Sequence, residues 1–208
     1  AIQESCDVFF YELSIKVGIN KIAEVAKDFG LGQIYPMNID NQKKGIVPSK
    51  KWKKEAYNEN WYGGETLITA IGQGYVLSTP LQLAVMTARI ASGGKKILPS
   101  VLKSSEEKKF DIMQEYTNGI KIVQKAMFKV VNEKKGTANR SKSDNFQFSG
   151  KTGTSQVRKI SMVERESEDF RNTEIEWKNR DHALFVGYMP SNKPQYSISV
   201  VIEHGGSG

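Results

Sequence analysis

Two β-rich stretches near the C-terminal end, Ala183–Met189 and Tyr196–Glu203, constrain this chain more than any other feature. They are separated by Pro190-Ser191-Asn192-Lys193-Pro194. β-Branched and aromatic runs on either side of such a turn predict an antiparallel hairpin. Phe146–Val157 reads as a further strand with glycine in its middle. Everything upstream has a different texture. Phe9, Leu13 and Val17 recur every four residues after Asp7, a residue able to cap a helix. Ile22, Val25, Ala26 and Phe29 share one face of a second helix, with Asn20 as its N-cap and Gly30 as its stop. Residues 31–65, rich in Gly, Pro, Asn and Lys, predict a long irregular connection. Thr79-Pro80 opens another helix with a capping hydroxyl and proline in the first turn. Leu81, Val85 and Ala88 lie on one of its sides, and Gly93-Gly94 ends it. Ile97–Leu102 predicts a short strand, and Ile120, Val123, Met127 and Val130 a helix that closes near Gly136. Helices first and an antiparallel sheet last is the order of an α+β fold, not of an alternating parallel one.

The chain has 208 residues, enough for one or two domains with a real core. With 38% apolar and 25% charged residues it is neither fibrous nor a highly charged disordered chain. A single cysteine, Cys6, excludes an internal disulfide and reads as a small buried filler. No apolar run approaches the roughly 20 residues of a membrane span, and no signal peptide opens the chain. It starts Ala-Ile-Gln-Glu and ends His-Gly-Gly-Ser-Gly directly after a strand, so both ends read as cut from a longer protein. The net charge of +7 raises the question of nucleic acid or an anionic surface. The densest basic cluster, Lys43, Lys44, Lys50, Lys51, Lys53 and Lys54, is broken by Pro48 and reads as a solvated loop. Residues 158–180 mix both signs, which solubilises a loop and makes no phosphate track; this segment is either a mobile lid or a solvated loop. Nucleic acid is therefore not expected as a partner.

Gly150-Lys151-Thr152-Gly153-Thr154-Ser155 is the most informative stretch. It puts a cation, hydroxyls and small residues on one strand. Lysine and threonine can hold a carboxylate, glycine admits a substrate backbone, and exposed N–H groups can face a developing oxyanion. Ser5-Cys6-Asp7 is a second candidate, although Ser143-Asp144-Asn145 and Ser167-Glu168-Asp169 spell the same loose pattern.

Taken with their surroundings, these segments resemble the transpeptidase domain of class B penicillin-binding proteins, most closely the elongation-type penicillin-binding protein 2 group. Ser5-Cys6-Asp7-Val8-Phe9-Phe10-Tyr11 resembles that group's second motif and its helix. Phe29-Gly30-Leu31-Gly32, Gly45-Ile46-Val47-Pro48-Ser49 and Trp52-Lys53 continue the likeness. Trp61-Tyr62-Gly63-Gly64-Glu65-Thr66, Ile71-Gly72-Gln73-Gly74-Tyr75 and Thr79-Pro80-Leu81-Gln82 carry it most strongly. Gly136-Thr137-Ala138 precedes the third motif, Lys151-Thr152-Gly153-Thr154, and Asp181-His182-Ala183 and Glu203-His204-Gly205-Gly206 complete the sheet signature.

The resemblance implies a penicillin-binding, β-lactamase-like fold with a helical subdomain and an antiparallel sheet, incomplete at both ends. Residues 1–208 would form one partial transpeptidase domain, mainly helical over 1–140 and sheet over 141–208. It implies acyl transfer on peptidoglycan stem peptides, with β-lactams as donor mimics. A serine of a Ser-x-x-Lys motif attacks the D-alanine carbonyl and the lysine accepts its proton. By position, Ser5 would relay protons and Asp7, where the family usually has Asn, would orient the cleft. Lys151 would set the local field and bond Ser5. Thr152 and Thr154 would bind the substrate carboxylate, the Thr154 N–H would be an oxyanion donor, and Gly153 would leave room for the substrate. No cofactor and no metal are implied. An elongation-machinery glycosyltransferase is the expected partner. The location implied is the periplasmic face of the bacterial inner membrane, reached through an upstream anchor.

One departure is large. The family's Ser-x-x-Lys precedes the second motif by some tens of residues, and only four residues precede Ser5. The pairs Ser92/Lys95, Ser100/Lys103 and Ser105/Lys108 all follow it, in a glycine-rich turn or charged loop. The chain is therefore expected to lack its nucleophile and to be inactive alone. A β-lactamase or β-lactam sensor, and a non-catalytic remnant that binds peptidoglycan or partners, remain as alternatives. His182 and His204 have no ligand cluster around them and are expected to support the sheet or face solvent. Trp61, Tyr62 and Tyr75 are expected to line the groove or to pack.

Overall fold

The computed structural model describes residues 1–103, 108–157 and 176–208. Helices α1 (Asp7–Val17) and α2 (Ile19–Asp28) are followed by α3 (Lys50–Tyr57) and α4 (Gly63–Ala70). Then come α5 (Pro80–Ala91), α6 (Thr117–Asn132) and strands β1 (Ser149–Ser155), β2 (His182–Met189) and β3 (Tyr196–Ile202). The strands form one antiparallel sheet in the order β1-β2-β3. The α+β order read from the sequence holds.

Local details differ from expectation where a neighbour outweighs a propensity. Asp7 is the first residue of α1, not its cap, and Cys6 occupies the cap position. An acidic side chain in the first turn still suits the positive end of the helix dipole. Phe9, Leu13 and Val17, the residues that predicted α1, are 49%, 42% and 43% exposed. The helix packs its other side against α4. Gly18 links α1 to α2 and takes the cap position expected of Asn20. The Asn20 Oδ1 instead accepts the backbone N–H of Lys50 at 3.3 Å.

The connection expected over residues 31–65 contains α3 and the start of α4. The Ser49 Oγ caps α3 by accepting the Trp52 N–H at 3.1 Å, a signal hidden within the lysine-rich run. Nor is that run wholly solvated. Lys53 is 1% exposed, its ammonium bonded to Glu65 and 3.4 Å from a Glu59 carboxylate oxygen. It lies 4.6 Å from the Tyr62 ring centre. Helix periodicity turns one lysine of the run inward, and two acids make its burial tolerable.

Helix α5 is the central support. Thr79 and Gln82 form a reciprocal capping box at its start. Buried Gln82 also donates to the carbonyls of Gln33 (2.7 Å) and Lys44 (2.9 Å), tying down the preceding connection. Buried Arg89 donates to Asp28 O at 2.6 Å and twice to Ile97 O, at 3.1 and 3.2 Å. The strand expected at Ile97–Leu102 is absent; the pairing in this region is a single Lys95–Ile112 bridge.

Helix α5 lies against β2 and β3, and α6 against β1. Ala91 of α5, Met127 of α6 and Tyr188 of β2 form one core cluster, with Ile90, Val123 and Val186 packed on it. Val130, Val131 and Ala138 form a second, packed by Ile2, Phe148 and Phe185. Gly150 is required by this packing, because a Cβ there would stand 2.2 Å from Phe185 Cζ and 2.7 Å from Val186 O. The register pairs Lys151 with Val186 and Thr152 with Phe185. Strand β1 is an edge among the described strands, and its free side faces the start of α1 across the Lys151–Ser5 contact.

Candidate active site

Ser5 sits between a short 3-10 turn (Ile2–Glu4) and α1 with φ 49° and ψ 52°, a left-handed conformation that costs a non-glycine residue energy. Its N–H bonds Ile2 O at 3.3 Å and the Cys6 N–H bonds Ala1 O at 3.1 Å, which hold the bend. Cys6 is exposed, contrary to its expected burial, because the bend turns it outward between the two motif residues.

Lys151 is brought to Ser5 across 146 residues, and its ammonium donates to the Ser5 Oγ. It also donates to Thr152 O at 2.8 Å and lies 3.4 Å from Thr152 Oγ1. Burial pushes the Lys151 ammonium below its ordinary range, while the charge of Asp7 acts in the opposite sense. Because an ammonium only donates, Ser5 Oγ is the acceptor of that bond, and its own hydrogen is free to point elsewhere. Asp7 is exposed on the first turn of α1.

The third-motif residues follow on the free edge of β1. Thr152 O accepts from Lys151, and Thr154 O accepts from the Gln73 Nε2 at 2.7 Å. In an antiparallel strand the N–H and C=O of one residue point the same way. The N–H groups of Thr152 and Thr154 therefore also point off the sheet. A Cβ added at Gly153 would meet Leu184 Cβ at 3.5 Å, an ordinary contact, so packing within the chain does not demand glycine there.

Two residues of this site were quoted in the sequence only as parts of longer segments. Gln73 donates to Thr154 O and accepts the Gln156 N–H at 3.4 Å, so its side-chain amide pairs with the strand edge as a peptide group would. Thr137 Oγ1 lies 2.8 Å from Thr152 Oγ1. Both contacts are tertiary and leave no local signal. Ser143-Asp144-Asn145 forms an exposed turn with the Asn145 N–H on Ser143 Oγ at 3.2 Å. Ser92 caps the end of α5 and Ser100 bonds Leu102 O, so neither opens a helix. Ser105, Ser167-Glu168-Asp169 and residues 158–175 of the suggested lid lie outside the described residues.

His182 and His204 lie together at the end of the sheet, ring centres 4.9 Å apart, with the His204 N–H on His182 Nδ1 at 3.0 Å. This is the supporting role expected of them. Trp61 and Tyr75 pack, the former donating to Thr66 Oγ1 at 2.8 Å and the latter with its ring tilted against those of Trp52 and Tyr57. Tyr62 is 62% exposed. No group of three or more potential metal ligands occurs among the described residues. No helix among them is long and apolar enough to cross a membrane.

The penicillin-binding protein transpeptidase domain family matches residues 1–208. The chain belongs to that family. Within it, the similarity is to the penicillin-binding protein 2 group. The peptidoglycan D,D-transpeptidase MrdA of Acinetobacter baumannii is 33% identical over 218 residues, covering 100% of this chain and 32% of the relative. The MrdA of Haemophilus influenzae is 31% identical over 222 residues, covering 100% and 33%. The chain thus spans about a third of the length of the curated relatives it matches. Penicillin-binding protein 2 of Helicobacter pylori, solved in complex with MreC, superposes with a TM-score of 0.86 at 33% identity, over 99% of this chain and 36% of that one. Penicillin-binding protein 2 of Pseudomonas aeruginosa in complex with WCK 5153 gives 0.82 at 34% identity, over 100% and 44%. The family fold inferred from the sequence motifs is therefore the observed one.

Proposed function

We propose that this chain is one partial transpeptidase domain, residues 1–208, of a longer peptidoglycan D,D-transpeptidase that β-lactams inhibit. The observation that carries the reading is the Lys151 ammonium on the Ser5 hydroxyl, two motif residues 146 positions apart. In the reaction, a serine of an upstream Ser-x-x-Lys attacks the carbonyl of the penultimate D-alanine, and the lysine of that motif takes its proton. The peptide C–N bond breaks and terminal D-alanine leaves as an amine. An amine of a neighbouring stem then attacks the acyl-enzyme, restores the serine and closes the cross-link.

The residues of this chain act around that centre. Lys151 occupies a lone pair of Ser5 Oγ, so the Ser5 hydrogen can pass to the departing amine. The half-buried cation holds positive potential beside the cleft. Thr152 and Thr154 receive the substrate carboxylate, and the outward Thr154 N–H receives the oxyanion. Gly153 keeps the cleft open to the substrate backbone, and Asp7 orients the Ser5–Lys151 pair through its charge. The MreC complex of the Helicobacter pylori relative, and a relative at 31% identity solved in a peptidoglycan synthase complex, support protein partners for the longer protein, a glycosyltransferase among them. The periplasmic face of the inner membrane is the location that fits this substrate.

Intact mass after incubation with a labelled penicillin tests the reading. The 208-residue chain is expected to stay unlabelled, and the longer protein to gain one adduct on its Ser-x-x-Lys serine. An adduct on any serine within residues 1–208 overturns the upstream assignment. A longer protein that never acylates overturns the transpeptidase reading.

A further inference from the structure

Thr137 stands where three segments meet. Gly136 before it packs so closely that a Cβ would fall 2.1 Å from Val130 O. The Ala138 N–H after it bonds that same carbonyl at 3.0 Å, so the turn is pinned to the end of α6. The Thr137 N–H bonds Gln3 O at 3.2 Å, two residues before Ser5. Its hydroxyl meets Thr152 Oγ1 at 2.8 Å.

We propose that Thr137 is a positioning residue for the substrate carboxylate: its hydroxyl donates to Thr152 Oγ1 and so turns the Thr152 hydrogen towards the bound anion. The inference rests on the transpeptidase reading and on Thr152 as a carboxylate ligand. A threonine hydroxyl has one hydrogen and can accept twice. Among the described residues, the polar side-chain atoms at Thr152 Oγ1 are Lys151 Nζ, at 3.4 Å, and Thr137 Oγ1. Lysine only donates. With no ligand, the Thr152 hydrogen can rest on Thr137. When a carboxylate arrives, the two hydroxyls reverse, Thr137 donates, and Thr152 becomes a donor that itself accepts from two groups. Such a chain strengthens the terminal hydrogen bond. Thr137 lies on an exposed turn, so its hydroxyl can rotate without repacking.

The test separates the hydroxyl from the backbone role. Thr137→Val keeps the N–H on Gln3 O and the side-chain shape, and removes only the hydroxyl. Acylation rates are measured in the longer, active protein with benzylpenicillin and with its uncharged methyl ester. Thr137→Val is expected to slow the acid about tenfold more than the ester, the scale of one weakened charge-assisted hydrogen bond. Thr137→Ser should recover most of that rate, and Thr137→Ala repeats the loss without the branched carbon should the valine fail to fold. Equal slowing of acid and ester, no slowing, or a serine variant as slow as valine overturns the proposal. If the parent protein acylates and these differences are missing, the fault lies with Thr137. If the parent does not acylate, the transpeptidase reading itself fails and takes this inference with it.

Discussion

Shortening Gln73 to alanine should loosen the end of β1 without unfolding the domain. The Nε2 donates to Thr154 O at 2.7 Å, good geometry for a bond worth about 1 kcal/mol net. The Gln156 N–H on Oε1, at 3.4 Å, is at the limit and adds at most a few tenths of a kcal/mol by the same measure. Both groups lie where water can replace the side chain, so the loss should stay near 1 kcal/mol, a fall of roughly 2–4 °C in Tm for a chain of this size. Gln73→Glu divides the clamp. It keeps an acceptor for Gln156 but removes the donor and sets a carboxylate oxygen against the Thr154 carbonyl. At neutral pH it should therefore be less stable than Gln73→Ala. Protonation restores a donor, so the folded pKa of that carboxyl is raised. Its stabilisation is then present below the ordinary glutamate value, about 4.3, and is lost as pH rises through the folded value. Thermal unfolding over a pH series, with hydrogen exchange at the Gln156 amide, reads all three forms. Unchanged exchange at Gln156 in Gln73→Ala, or a glutamate variant more stable than alanine at pH 7, would refute the clamp.

Lys151 should leave a signature in stability against pH. Its folded pKa is lowered by burial, so between that value and 10.5 the unfolded chain binds the extra proton and stability rises with pH. Lys151→Met should flatten that rise in urea titrations; an unchanged slope would contradict the picture of a half-buried, partly desolvated cation. Gly150→Ala places a Cβ 2.2 Å from Phe185 Cζ and 2.7 Å from Val186 O, so a loss of about 1–3 kcal/mol is expected from overpacking. Adding Phe185→Ala should not rescue it fully, because the Val186 carbonyl belongs to the backbone. A Gly150→Ala chain with the parent's urea midpoint would show that the strand relaxes.

Local chemistry made much of the fold legible. Helix α5 was readable from Thr79-Pro80 because a cap and a proline act on their own neighbours. The hairpin of β2 and β3 was readable because strand patterning and the intervening turn are local too. Helix α3 was missed because its cap, Ser49, sits among lysines that read as loop. The strand expected at Ile97–Leu102 failed because Arg89, buried in α5, takes the Ile97 carbonyl twice. Cys6 was misplaced because burial at a left-handed bend depends on which way the next helix leaves.

The same division runs through the site. Sequence alone singled out the candidates, since Ser5, Lys151, Thr152 and Thr154 are recognisable from motif order and spacing. Only the tertiary structure decided that Lys151 reaches Ser5, that Gln73 holds Thr154 from 81 residues away, and that Thr137 faces Thr152. A motif records residue types along the chain. A hydrogen bond between distant segments depends on the summed packing of α1, α4, α6 and β1, and no short stretch of sequence encodes that sum.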